Sequence, residues 1–215
     1  MANQEPIITP LENGPFRLEG VDHITRWRDG QTIPLDGTAM LCRCGGSSNK
    51  PFCDGTHMGN GFSGEKAPDR VPDHRDAYTS SDGRLTIHDN RGLCAHAGYC
   101  TDNLASVFRL RTEPFVDADG ATAEEIAAVI GMCPSGALSY TLDGVDHRDR
   151  NDKTGVAYPP GGPYVLTNVS LAGVEMPDGA TEDHCTLCRC GASQNKPFCS
   201  GAHWTVDFDE DAVGE

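Results

Sequence analysis

No stretch of this 215-residue chain stays apolar long enough to cross a bilayer: the longest run, Ile126-Ala-Ala-Val-Ile130, falls far short of the ~20 residues a helical span needs. The N-terminus, Met-Ala-Asn-Gln-Glu-Pro-Ile-Ile-Thr-Pro, has neither a basic n-region nor an apolar h-region, so no signal peptide is expected. Basic residues are scarce. Seventeen Lys and Arg stand against 32 Asp and Glu, and the resulting charge of -15 argues against a nucleic-acid partner. A nucleophile paired with a base, a Gly-rich phosphate loop and a flavin or nicotinamide fingerprint are also missing. These absences predict a soluble, cytoplasmic protein that has no membrane segment and is not an enzyme.

What the chain does have is cysteine, ten in all, and most of it falls into two equal sets. Cys42-x-Cys44-x8-Cys53-x3-His57 returns as Cys188-x-Cys190-x8-Cys199-x3-His203. Three thiolates and one imidazole so closely spaced can close on a metal, and zinc and iron-sulfur clusters both accept a Cys3His set. The spacing therefore says metal before it says which metal. Zinc motifs usually pair cysteines as C-x2-C, which weighs against a structural zinc site. The lack of a signal peptide weighs against a secreted disulfide framework.

The residues between the ligands recur as well: Gly45, Ser47, Asn49, Lys50, Pro51, Phe52 and Gly55 return as Gly191, Ser193, Asn195, Lys196, Pro197, Phe198 and Gly201. Both phrases resemble the CDGSH (NEET-type) iron-sulfur domain, whose pattern is C-x-C-x2-[ST]-x3-P-x-C-D-G-[STA]-H. The first copy agrees at every fixed position, and the second departs once, with Ser200 in place of Asp. The resemblance implies a [2Fe-2S] cluster in each copy, one iron on Cys42 and Cys44 (or Cys188 and Cys190), the other on Cys53 and His57 (or Cys199 and His203). It also implies two modules joined through shared β structure with their clusters side by side. The expected assembly is then a monomer with an internal pseudo-dimer, or a homodimer.

The repeat is longer than the ligand phrase, since Gly14-Pro15-Phe16-Arg17-Leu18 returns as Gly162-Pro163-Tyr164-Val165-Leu166. Short runs of Val, Ile, Leu and Thr broken by Gly and Pro predict mostly β modules. A helical turn is expected only after Asp54 or Ser200, both good N-caps. Residues 59–76 and 143–163, rich in Gly, Pro and Asp, read as linkers. The predicted organisation is a β-rich module at 1–63, an inserted ferredoxin-like α+β domain at 64–158 and a second β-rich module at 159–215. Taken whole, that is an α+β protein.

The inserted segment carries its own signature. Arg84-Leu-Thr-Ile-His88 alternates like a strand, 102–108 reads as a short helix, Thr122-Ala-Glu-Glu125 opens a second helix with a capping box, and Ala137-Leu-Ser-Tyr-Thr-Leu142 closes as a strand. On this frame lie Cys94-x5-Cys100 and Cys133-Pro134. They resemble a divergent bacterial mono-cluster ferredoxin, which implies first, third and fourth ligands at Cys94, Cys100 and Cys133, with Ala97 in the second-ligand position. Three thiolates suit a [3Fe-4S] cluster. A [4Fe-4S] cluster needs a fourth ligand, for which His96, one residue out of register, is the candidate; otherwise His96 hydrogen-bonds a cluster sulfur or simply packs.

Other residues carry weaker signals. Cys185 forms C-x2-C with Cys188, but Thr38 or Ala39 stands at the matching place in the first copy, so a free thiol is expected. His23, His74, His88, His147 and His184 lack cysteine partners at ligand spacing and read as surface residues. Arg43, Arg189, Lys50 and Lys196 flank ligands, where cations favour a reduced cluster, though solvated side chains are the ordinary outcome. Trp204 is placed either to shield the neighbouring His203 site or only to pack.

Three one-electron centres on an acidic chain predict electron transfer to redox partner proteins that present basic patches. Exchanging a thiolate for a neutral imidazole makes a cluster about one charge less negative and raises its potential. It also makes the site sensitive to pH, since a protonated ring cannot ligate. The alternatives are cluster transfer or redox and pH sensing through the labile histidines, and a zinc-stabilised interaction module.

Overall fold

The structure, a computed structural model, describes residues 5–150 and 152–209; the first four residues of the N-terminal stretch read above lie outside it. Strand outweighs helix. The first copy forms β1 (Ile7–Pro10), β2 (Phe16–Glu19), β3 (His23–Arg26), β4 (Thr32–Pro34) and β5 (Ala39–Leu41). The middle segment forms β6 (Arg75–Thr79), β7 (Leu85–Asn90), helices α1 (Tyr99–Asn103) and α2 (Ala123–Ile130), β8 (Leu138–Leu142) and β9 (Val145–His147). The second copy follows with β10 (Gly155–Tyr158), β11 (Tyr164–Thr167), β12 (Ser170–Leu171) and β13 (His184–Leu187). Three sheets result, ordered β12-β1-β2-β5, β13-β11-β10-β3-β4 and β6-β7-β8-β9.

Each of the first two sheets draws strands from both ends of the chain. β12 runs parallel to β1, with Ser170 opposite Ile7, and β10 runs parallel to β3, with Val156 opposite Ile24. The recurrent Gly-Pro-aromatic phrase puts equivalent residues in equivalent registers, Phe16 opposite Leu41 and Tyr164 opposite Leu187. Both rings are fully buried and meet edge to face at 6.2 Å. Phe16, Leu18 and Leu41 pack with Tyr164, Leu166 and Leu187 in one core. Burying each such side chain is worth about 1.5–3 kcal/mol, so the union of the two copies is part of the fold.

The middle sheet has a separate core around Ile87, Phe108, Ile126 and Leu138. The capping box forms as the sequence predicts: the Thr122 hydroxyl accepts from the Glu125 amide and the Glu125 carboxylate accepts from the Thr122 amide. Ile126, Val129 and Ile130 are buried at i, i+3 and i+4. α1 differs from the expected 102–108. It starts after a left-handed Gly98 and ends at Leu104; Val107 lies in the turn that follows, the Val107 and Phe108 amides both donate to Leu104 O, and Phe108 bridges Val116 as Val107 and Phe108 enter the core.

The segments read as linkers hold strands too. β9 and β10 fall within 143–163, and β6 begins inside 59–76. β10 precedes the boundary expected at residue 159, yet its buried Val156 and Tyr158 belong to the shared core. Such short strands are specified by partners far away in sequence, and their polar and proline flanks hide them from a local pattern. His184, expected at the surface, is buried in β13, where its Nδ1 meets Asp183.

Candidate metal centres

β5 and β13 each run straight into a ligand loop. In the first site the Cys42 amide donates to Pro51 O (2.7 Å), the Ser47 hydroxyl donates to Phe52 O (2.6 Å), and Leu41 bridges Phe52. In the second the Cys188 amide donates to Pro197 O (2.8 Å), Ser193 to Phe198 O (2.7 Å), and Leu187 bridges Phe198. A 3-10 turn, Thr56–Met58 or Ala202–Trp204, then carries His57 or His203. The first loop has one further tie, because the buried Tyr164 hydroxyl donates to Cys42 O (3.0 Å) and Pro51 O (2.8 Å). That role was not read from the sequence; the only signal was a hydroxyl where the repeat has Phe16.

The expected ligands come together as pairs. Cys42 and Cys44 bring their Sγ atoms to 3.9 Å, and Cys53 Sγ lies 3.4 Å from His57 Nδ1. In the second site the corresponding separations are 3.8 Å for Cys188 and Cys190, and 3.3 Å for Cys199 and His203. Among the described residues no three His, Cys, Asp or Glu groups converge as one ion would require. Backbone amides of Gly46 and Gly201 point at Cys44 and Cys199 Sγ, each at 3.4 Å, as suits thiolate charge. A soft donor set arranged as two pairs, with an amide on one sulfur of each site, fits a two-metal cluster.

The two sites touch through their backbones. Cys44 and Cys190 form an antiparallel bridge. A Cβ on Gly45 would lie 2.4 Å from Cys190 O, and one on Gly191 2.4 Å from Cys44 O, while both residues have positive φ. Only glycine lets these loops meet.

Protonation follows from the pairing. Within each Cys-x-Cys pair the contact with the neighbouring sulfur raises one thiol and lowers the other: Cys42 up and Cys44 down in the first site, Cys190 up and Cys188 down in the second. Two sulfurs this close do not both ionise readily, so full ionisation needs positive charge from a metal. Burial pushes the Cys199 thiol up to about 12 and the His203 imidazole down to about 4, keeping that ring neutral as ligation requires.

The flanking residues depart from expectation. Asp54 and Ser200 do not head the turns; left-handed Gly55 and Gly201 do, with no side-chain cap. Asp54, one residue earlier, accepts instead from the Thr56 hydroxyl (2.7 Å) and from the Ser48 and Thr56 amides, which hold its carboxyl below the usual range. Arg43 and Arg189 are not solvated but almost fully buried. Arg43 donates to Leu11 O and Gly64 O and lies over Phe16, and Arg189 donates to Gly162 O and lies over Tyr158. A guanidinium can satisfy carbonyls and stack on rings at once, which the sequence beside a ligand does not reveal. Lys50 and Lys196 are half-buried.

Cys94, Cys100 and Cys133 line one cavity, together with His96, Ala97 and Arg91. Cys94 follows β7, Cys100 sits on α1 and Cys133 follows α2. Arg91 Nη1 approaches Cys94 Sγ at 3.7 Å, and the His96 amide does so at 3.4 Å. Burial pushes Cys94 up to about 12 and raises Cys100. Three thiols lining one cavity with a guanidinium beside them fit an anionic iron-sulfur cluster, and both Ala97 and His96 line that cavity. Arg91, adjacent to no ligand, escaped the sequence reading.

His96 has a left-handed backbone (φ 53°), and its ring lies against Gly201, where a Cβ would come within 2.8 Å of Nδ1. Trp204 is 68% exposed, tilts over His203 at 5.0 Å and donates from Nε1 to His96 O (3.1 Å), so it shields little and pins much. Cys185, expected as a free thiol, is buried in the shared core.

Two family models match this chain. One, described as an iron-binding zinc finger of CDGSH type, matches residues 13–58 and 161–204; the other, described as a divergent 4Fe-4S mono-cluster, matches residues 80–143. The uncharacterized protein YjdI of Escherichia coli (strain K12) is 32% identical over 57 residues, covering 26% of this chain and 75% of the relative. YjdI of Escherichia coli O157:H7 matches to the same extent.

Proposed function

Because this chain belongs to the CDGSH-type iron-binding proteins, with a divergent 4Fe-4S mono-cluster domain between its two copies, we propose that it is a one-electron carrier holding two [2Fe-2S] clusters and one [3Fe-4S] or [4Fe-4S] cluster. The observation that carries this reading is the division of each Cys3His set into two pairs, at 3.9 and 3.4 Å and at 3.8 and 3.3 Å. Two pairs suit two irons; one zinc ion would draw all four donors to a single centre. When bound, such clusters supply reversible one-electron chemistry at the metal. Cys42, Cys44, Cys53 and His57 would hold the first, Cys188, Cys190, Cys199 and His203 the second, and Cys94, Cys100 and Cys133 the third. On this reading the chain is α+β, with α1 and α2 set against the middle sheet, and it turns over no substrate. Its charge of -15 suits docking on basic surfaces of redox partners.

A second reading, cluster transfer or sensing, draws support from the half-buried Cys53 and His57, which leave the first site open to an acceptor. Anaerobically purified protein is expected to hold about seven or eight irons with matching sulfide and to cycle reversibly under dithionite, followed by EPR. Zinc in place of iron would sink both readings, and quantitative release to an apo-ferredoxin without redox cycling would favour the second. For the middle site, Ala97→Cys is expected to turn an EPR signal of the oxidised [3Fe-4S] form into one seen only on reduction. Four irons in the wild type, with one lost in His96→Ala, would instead make His96 the ligand.

A further inference from the structure

Among the described residues, the loop that carries Cys94 and His96 docks against the second Cys3His site. Asn195 Nδ2 donates to Gly92 O, Trp204 Nε1 donates to His96 O, and the His96 ring packs on Gly201, two residues before His203. The matching positions of the first copy look outward: Asn49 is exposed, Met58 is 81% exposed, and a Cβ on Gly55 would meet only Met58. The first site instead reaches the rest of the chain's metal centres at the Cys44–Cys190 bridge, through the second.

We propose that the second Cys3His site is an internal relay, so that electrons pass between the middle site and the first site by way of it, across the contact of His96 with Gly201. This rests on the reading that all three sites hold iron-sulfur clusters. In each step one centre gives up one electron and its neighbour takes it, a ferric iron becoming ferrous, and no co-reactant enters. The half-buried His57 site and the middle cavity are then the two outer ends, and the buried His203 site exchanges electrons only within the chain.

The test uses the whole loaded protein, partly reduced with dithionite, and reads EPR spin relaxation. His57→Cys and His203→Cys each shift the signal of their own [2Fe-2S] centre and so assign the two. The centre shifted by His203→Cys is expected to relax faster through the paramagnetic middle cluster, and His96→Ala is expected to weaken that enhancement. Enhancement on the His57 centre, equal enhancement on both, none on either, or a His203 signal indifferent to His96→Ala would overturn the relay. Iron and sulfide assays on the same samples separate this from failure of the underlying reading: missing clusters overturn both, whereas full loading with the wrong coupling overturns the relay alone.

Discussion

The two Cys3His sites share a ligand phrase, a loop hydrogen-bond pattern and donor separations within 0.1 Å of each other, yet they live in different surroundings. Cys199 and His203 are 2% and 7% exposed, whereas Cys53 and His57 are only half-buried. Asn195 is buried against the middle domain, and its counterpart Asn49 is in solvent. The phrase fixes which atoms face the metal. The docking of another domain fixes how readily water, protons and partners reach them, and so one motif supplies two chemically distinct centres.

The strongest way to break the comparison is to remove one ligand from each site. Cys53→Ser and Cys199→Ser are each expected to cost about two irons per chain. Only Cys199→Ser should also weaken the fold, by about 1–3 kcal/mol, because the imidazole it leaves without a metal, His203, is buried where His57 is half-buried. Iron analysis with urea unfolding checks both; equal stability losses would mean that the difference in burial has no energetic weight.

Acid should separate the sites next. A proton must reach the imidazole before it can displace the metal, and the second site must first open locally. As pH falls, the absorbance is expected to bleach in two phases, the first site leading by on the order of tenfold, which corresponds to about 1.4 kcal/mol of opening cost. His57→Cys should remove the fast phase and lower that centre's potential, since a thiolate replaces a neutral ring. A single phase in the wild type would contradict the asymmetry.

A third test acts on the first loop alone. Tyr164→Phe removes the hydroxyl shared by Cys42 O and Pro51 O and is expected to cost about 1 kcal/mol in urea unfolding. It should speed bleaching of the first site and leave the second unchanged, although Tyr164 itself belongs to the second copy.

Much of this was legible because metal ligation and its loop are local: all eight Cys3His donors, the three middle cysteines, the module repeat and the Thr122 capping box stand in the sequence at fixed offsets. What was illegible depends on partners distant along the chain. β10 and β12 are strands because β3 and β1 stand beside them, Arg43 is buried because Leu11 and Gly64 offer carbonyls, and His96 meets Gly201 across more than a hundred residues. The extent of α1 was misread because Leu104 to Phe108 carries apolar residues at helical spacing that the core takes up in a turn and an isolated bridge.

The smallest expected effect concerns the one ligand-loop position at which the copies break the shared pattern, Asp54 against Ser200. The Asp54 carboxylate is held ionised by the Thr56 hydroxyl and by two amides, and it stands beside Cys53. Negative charge there disfavours an added electron, which lowers the potential of the first site. Burial of the second site works in the opposite sense on the comparison, because a less polar setting disfavours the more negative reduced cluster. The wild-type difference is therefore what remains of two opposed effects, and exchanging the residues isolates one of them. Ser200→Asp should lower the second site's potential and Asp54→Ser should raise the first, each by on the order of 10 mV, since Asp54 is exposed and salt screens it over ~8 Å. Redox titration at low and high salt reads this directly: shifts that shrink with salt support the charge argument, and a swap that moves neither potential leaves burial as the only physical difference between the sites.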